Sequence, residues 1–395
     1  MIVTLIRFGL LVLPIFVWPG FDTREPKLIL ALFLSLIIGL YGIYTGSIKR
    51  YPNVWVLAFL AFIPLNYVLS PRIDVFISGV PVASWVLQAF LFVLVFFLGH
   101  LTIAGGEFSV PDTDRILDTA VTSGFISAGF AIGQLLGFRQ FFVGSEKAIA
   151  AAMGNPNVLA AWLSMLVPIA LYRKRYLPAI VITVVVLLTN SQMAYGSLIL
   201  STMFLLGTKN RELRILMISG IVLITLVLAF GYFRSSAIKS FVGDSGRFAT
   251  WGRIIRDVQS PVIPGDRNTD YSITGRGLGS FRYMFHTQNP DLNPKEPFLE
   301  AHNDYLELLY NGGLFGLGLF LIAIVTFMVS CFPLDRFRAH LLASFLCIAI
   351  NAGGLFVWQN GAIIFYTLVI TGLLIQKGPS NAPTTIRRTN RYPGT

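Results

Sequence analysis

The run Leu314-Phe315-Gly316-Leu317-Gly318-Leu319-Phe320-Leu321-Ile322-Ala323-Ile324-Val325-Thr326-Phe327-Met328-Val329-Ser330-Cys331 decides the fold class. It carries no charged side chain. With the residues just before it, the apolar segment over 306–331 is long enough to cross the roughly 30 Å hydrocarbon core of a bilayer as a helix. Similar runs recur along almost the whole chain. Of the 395 residues, 55% are hydrophobic and 12% charged, and the mean hydropathy is +0.71. The expectation is an all-α polytopic membrane protein. Transmembrane β-strands would be shorter and would alternate polar with apolar residues, which these runs do not.

By the length criterion, about twelve spans are predicted. They lie near 2–18, 28–45, 53–69, 81–104, 116–138, 156–172, 177–190, 193–208, 213–232, 306–331, 339–355 and 361–376. The pair flanking Asn190-Ser191-Gln192 reads either as two short spans or as one broken span. The first run is followed by Trp18-Pro19-Gly20-Phe21, which offers no small-residue cleavage site, so it reads as a membrane helix and not as a signal peptide.

A net charge of +11 invites a nucleic-acid reading, but the lysines and arginines gather in short loops between apolar runs, as orientation signals do. With the N-terminus inside, the inner loops and tail hold 15 basic residues, among them Arg115, Arg173, Lys174, Arg175, Arg336 and Arg338. The short outer loops hold 5: Arg24, Lys27, Arg72, Arg139 and Lys147. This asymmetry predicts N-in and C-in. One inner loop dissents, since Glu107, Asp112 and Asp114 make it acidic. Cys331 and Cys347 fall in or beside predicted spans, and their spacing suits no metal site.

The chain thus divides into an N-terminal transmembrane bundle (1–232), a long outward-facing loop (233–305), C-terminal transmembrane helices (306–376) and a polar tail (377–395) expected to be disordered on the inner side. Within the loop, Phe248, Trp251, Ile254 and Ile255 recur at helical spacing, which predicts an amphipathic helix on the membrane surface.

Chemistry-bearing residues concentrate late in this loop. His302 precedes Asn303, Asp304 and Tyr305 at the mouth of a membrane helix, and an imidazole with its ordinary pKa near 6.5 is suited to take a proton from a hydroxyl. His100, His286 and His340 read as packed or interfacial. Arg276 lies between Gly275 and Gly277, with Gly279 close by, where backbone can approach a ligand and a guanidinium can grip phosphate oxygens. The same Gly-Arg-Gly-Leu-Gly run is not a dinucleotide fingerprint, because no strand precedes it. Arg247 follows Gly243-Asp244-Ser245-Gly246 and opens the amphipathic segment. Gly312, Gly313, Gly316 and Gly318 allow close helix packing in lipid. Thr189-Asn190-Ser191-Gln192 is an unusually polar patch between apolar runs.

Three features together resemble the O-antigen ligase/polymerase superfamily of bacterial envelope glycosyltransferases. They are Ser245-Gly246-Arg247 with Trp251, the turn Gly275 to Phe281, and His302-Asn303 through Leu306 before Gly313 and Gly316. The resemblance implies a multi-span, inverting, metal-independent glycosyltransferase without a cofactor, in a bacterial inner membrane with its active site facing the periplasm. It would move a glycan from undecaprenyl diphosphate to an acceptor hydroxyl. On this resemblance His302 is the general base, Arg247 and Arg276 hold the diphosphate, and Asn303, Tyr305, Gln192, Gly277 and Gly279 line the substrate. The expected partners are the lipid-linked glycan donor, a lipid A–core or growing-glycan acceptor and membrane lipids, with no nucleic acid. Ligase activity on lipid A–core is the first expectation and repeat-unit polymerase the second. A lipid-linked glycan transporter is a third reading from a different class. The family commonly carries an arginine after the serine of a Thr-x-Ser-Arg motif, where this chain has Gln192. A glutamine brings no charge to a diphosphate, so Arg247 and Arg276 carry that charge alone, Arg72 or Arg139 substitutes, or the donor or the activity differs.

Overall fold

The computed structural model describes residues 1–16, 24–48, 54–69, 76–77, 80–138, 149–207, 247–259, 271–277, 279–281, 285, 301–355 and 357–376. Among these residues the chain is helical, apart from a hairpin of Phe76–Ile77 (β1) against Val80–Pro81 (β2). The first helices are α1 (Ile2–Val12), α2 (Arg24–Thr45), α3 (Val54–Leu69), α4 (Val82–Gly105), α5 (Val110–Leu135) and α6 (Pro156–Tyr172). There follow α7 (Tyr176–Leu188), α8 (Gln192–Gly207), α9 (Arg247–Gln259) and the single turn α10 (Tyr271–Thr274). The chain then forms α11 (Asp304–Ser330), α12 (Arg336–Ala352) and α13 (Gly361–Ile375).

Each predicted segment falls on one of these helices except 213–232, which lies outside the described residues. Among the described residues, three helices are long and apolar enough to cross a membrane: Pro26–Thr45, Val110–Leu135 and Asp304–Ser330. Shorter apolar stretches lie in α1, α3, α6, α7, α8, α13 and the Val93–Gly105 part of α4, and the segment around Asn190 resolves into two of these helices. There α7 stops at Leu188, the Thr189 hydroxyl donates back to Val186 O at 2.7 Å, and Asn190 takes a left-handed φ of 57°. The Tyr195 hydroxyl then ties α8 to Leu187 O at 2.6 Å.

α5 starts earlier than its apolar run suggests. Ser109 caps it, accepting from Asp112 N and donating to the Asp112 carboxylate at 2.7 Å, with Pro111 in the first turn. Asp112, Asp114 and Asp118 are therefore helical. Asp114 and Asp118 both pair with Arg173, just beyond α6, and Asp118 also meets Arg175. The acidic segment that ran against the charge asymmetry thus lies at the same end of the bundle as the basic turn 173–175 and neutralises part of it.

The core centres on α6, buried without interruption from Val158 to Ala170 and packed among α5, α7, α8 and α12. A helix with no exposed face needs its polar side chains paired. Asn351 of α12 donates to Ser164 Oγ at 3.2 Å and Ser197 Oγ at 3.0 Å, linking α12 to α6 and α8. Ser344 reaches Met165 O and the Tyr366 hydroxyl, linking α12 to α6 and α13. Elsewhere α3 grips α11: the Phe62 ring lies against Gly312 and Gly316, and Phe59 packs on Phe320. Gly318 takes no part in such packing, since a β-carbon there would meet nothing within 4 Å.

Candidate functional site around the start of helix α11

α11 begins where Asn303 turns the extended chain into helix. Its side-chain oxygen accepts from Tyr305 N and Leu306 N, both at 3.1 Å, and its amide donates to Gly353 O at 2.8 Å. The cap therefore anchors α11 to the end of α12. His302 immediately precedes it with φ of 51°, in the left-handed region. Histidine tolerates that region better than most residues, but the conformation still costs about 1 kcal/mol or more. The surroundings enforce it. The Trp251 indole of α9 donates to Ala301 O at 2.6 Å, while Ala301 N donates to the Glu307 carboxylate at 3.1 Å. On the far side Trp358 N donates to Asp304 Oδ2 at 3.1 Å. The imidazole is half-buried with Nδ1 enclosed.

Arg276 occupies a second turn on the same helix. Gly275, Gly277 and Gly279 all have positive φ, at 74°, 100° and 85°. Arg276 N donates to Tyr310 O at 3.1 Å and Gly277 N to Asn311 O at 2.9 Å. Those carbonyls are available because α11 breaks its regular geometry at Gly313, with φ 64° and ψ −169°. The Asn311 side chain completes the turn, its oxygen accepting from Ser280 Oγ at 3.0 Å and Phe281 N at 2.8 Å. Arg276 is 4% exposed, and its guanidinium lies 4.4 Å over the Tyr310 ring and donates to Asp257 O of α9 at 3.1 Å. Its charge is held beneath α9, with the cation facing an aromatic ring.

α9 thus bridges both turns, Trp251 reaching the His302 segment and Asp257 the Arg276 segment. Between them lies a small core of Ile254, Phe281, Phe285, Ala301 and Tyr310, separate from that of the bundle. Phe281 and Phe285 stack at 4.6 Å, and both present to Tyr310 edge-on. Each such pair adds roughly 0.5–1.5 kcal/mol to the burial itself. The amphipathic helix expected near Trp251 is present and folds onto α11.

The polar turn before α8 belongs to the same end. Met193 packs against Gly354 and Gly353, the latter the residue whose carbonyl receives Asn303. Gln192, the first residue of α8, is exposed beside this junction. Asn303 and Tyr305 are engaged by the fold, Tyr305 through its hydroxyl to Ala349 O at 2.7 Å. Gly277 is buried under the turn, whereas Gly279 is exposed. Arg247 opens α9, with its side chain outside the described residues, as are His286, Arg72 and Arg139. His100 and His340 are packed at the opposite end, His100 against Thr371 at 3.1 Å and His340 against Arg336 O at 2.7 Å.

Two participants in the site, and one buried cation away from it, stood outside the sequence-based expectations. Asn311 organises the Arg276 turn, and its signal was a carboxamide inside an apolar run. Glu307 holds Ala301 N and was the only charge in the span 306–331. Lys27, placed above in an outer loop, is fully buried at the head of α2 and donates to Pro14 O at 3.3 Å and to Ala152 O. Its backbone carbonyl abuts Gly361 at the start of α13. No known protein family and no characterised protein matches the chain.

Proposed function

We propose that the chain is a membrane glycosyltransferase that moves a glycan from a polyprenyl diphosphate to an acceptor hydroxyl, with O-antigen ligase as the leading assignment. The observation that carries this reading is the clamped His302. A half-buried imidazole, held in a left-handed turn at the mouth of a long apolar helix, supports the reading because it would stand where a membrane-bound donor meets an aqueous acceptor. Its task would be to accept the acceptor hydroxyl proton, a contribution on the order of 10²–10⁴-fold. The oxygen would attack the anomeric carbon in line as the bond to the lipid diphosphate breaks, which inverts the configuration. The diphosphate is already a good leaving group, so the protein needs chiefly to stabilise its negative charge.

Arg276 supports the reading in a particular way. Buried under α9, it sets a positive potential near the start of α11 and fixes α9, whose first residue is Arg247. Arg247 is then the arginine assigned to grip the diphosphate directly, with Gln192 donating neutral hydrogen bonds at the neighbouring helix start. The metal-independent and cofactor-free character follows from the family resemblance, as do the inner-membrane location, the N-in orientation and the periplasmic site.

The test is a lipopolysaccharide gel of the source organism with the gene deleted, complemented by wild type or by His302→Ala. Loss of the polymer ladder with accumulation of lipid-linked polymer, unrepaired by His302→Ala, is expected for the ligase. A ladder collapsed to one repeat on the core assigns the polymerase instead. Full repair by His302→Ala rules out the general-base role, and an unchanged ladder on deletion points to another glycan or to the transporter.

A further inference from the structure

The end of the bundle opposite His302 carries an open cleft. The turn between α6 and α7 faces the turn between α11 and α12 across a cleft of about 420 Å³ lined by Tyr172, Arg173, Lys174, Asp335, Arg336 and Phe337. A volume of this order suits a small ligand or headgroup. The charges are divided between two tasks. Arg173 is engaged by Asp114 and Asp118, and Asp335 caps α12 by accepting from Arg338 N at 2.7 Å. Lys174 and Arg336 are exposed and supply the remaining cations.

Lys174 is in an unusual position. Arg175 N donates to Ala170 O at 2.9 Å and Lys174 N to Leu171 O at 3.2 Å, the paired closure that ends a helix with a left-handed residue. That residue is ordinarily glycine, but here it is Lys174, with φ of 55°. A favourable interaction with the helix dipole accounts for a cation somewhere in the last turn. It does not account for one at the position where a side chain is least welcome. Directly after it, α7 leaves Tyr176, Leu177, Ile180, Val184 and Leu187 exposed, an apolar stripe at helical spacing.

We propose that this cleft binds the phosphate group of an anionic phospholipid, with Lys174 and Arg336 as donors and the acyl chains along the exposed face of α7. Tyr172, a residue type favoured at the boundary between hydrocarbon and water, flanks the headgroup, and Phe337 packs against the Tyr172 ring at 5.6 Å. Basic pockets between membrane helices are suited to such headgroups. The inference stands independently of the transferase reading.

The test titrates the full chain in a mild detergent with phosphatidylglycerol, phosphatidylcholine or inorganic phosphate while following its melting midpoint. Phosphatidylglycerol is expected to raise the midpoint, and the other two are not. In the Lys174→Gln/Arg336→Gln variant the half-saturating lipid concentration should rise roughly 10- to 30-fold. Lys174→Gly guards against a simple folding defect: it relieves the left-handed backbone, so the starting midpoint holds while the lipid response weakens. An equal response to both lipids, or an unchanged response in these variants, overturns the site. Protection by inorganic phosphate equal to that by phosphatidylglycerol overturns the lipid assignment and identifies a soluble phosphate compound as the ligand.

Discussion

Gly275 and Gly313 meet backbone to backbone, so closely that a β-carbon on either would overlap main-chain atoms of the other's segment. Both have positive φ, at 74° and 64°. One belongs to the turn that carries Arg276 and the other to the kink in α11 that exposes the carbonyls of Tyr310 and Asn311 to that turn. The Arg276 segment therefore cannot dock on α11 unless both positions lack a side chain. Gly275→Ala and Gly313→Ala should each destabilise the protein by more than about 1–3 kcal/mol, since they combine backbone strain with a rigid clash. Gly318→Ala, with open space around it, should lie within about 0.5 kcal/mol of wild type. Melting midpoints in detergent compare the three, and equal midpoints would contradict the docking.

Lys27 makes a second prediction. Its ammonium joins the end of α1, through Pro14 O, to the 3-10 turn Ala151–Met153, through Ala152 O. Replacing it with methionine keeps most of the volume and removes the donor from both carbonyls. A buried acceptor left without its donor costs about 1–3 kcal/mol. Lys27→Met should therefore lower stability by about 2 kcal/mol or more, and Lys27→Arg should not rescue it, because a larger head must enter a fully buried site. Unfolding by denaturing detergent measures this. A wild-type midpoint for Lys27→Met would show that the ammonium is not a clasp.

These two cases show what the sequence disclosed and what it withheld. Helix positions were legible because exposed and core-facing residues are alike apolar, so each helix is written as an unbroken run. The break at Asn190 was legible because polar residues interrupt such a run. Helix starts were less so: α5 begins at Val110 because Ser109 caps it, and a cap is a local hydrogen bond that hydropathy does not register. For the candidate site, His302 and the Gly275–Gly279 turn stood out as polar or flexible residues in an apolar chain. The burial of Arg276 did not, because it depends on Tyr310 and Asp257, residues distant in sequence. Lys27 was misplaced for the same reason, since the carbonyl of Ala152 is 125 residues away.

The basic turn after α6 yields a prediction about salt. Arg173 makes a two-pronged contact with Asp118, its Nε and Nη2 each donating at 3.0 Å, and also meets Asp114. Hydrogen bonding to Asp118, and then to Asp114, holds its guanidinium above the ordinary arginine range against the opposing effect of burial. The side chains are 21–34% exposed, so solvent screens the pairs and each is worth about 1 kcal/mol at most. Arg173→Gln should cost about 1 kcal/mol at low salt, a difference that shrinks toward zero near 1 M salt, where the screening length falls to about 3 Å. A deficit independent of salt would mean that packing, not charge, dominates.

Trp251 gives the sharpest test of how His302 is held. Its indole N–H donates to Ala301 O, one residue before the left-handed histidine, while its ring packs against the small core under α9. Trp251→Phe keeps an aromatic ring and removes that hydrogen bond, worth about 0.5–1.5 kcal/mol. Under the proposed mechanism the loss falls on the orientation of the imidazole and not on donor binding, so kcat should drop by about tenfold with KM for the lipid-linked donor little changed. His302→Ala should lower turnover by about 10²–10⁴-fold, and adding Trp251→Phe to it should reduce the residual rate no further, because the indole acts only through the histidine. The measurement is transfer of glycan from a lipid-linked donor by the purified protein in vesicles. A rise in KM at constant kcat in Trp251→Phe would instead assign the indole to the donor site.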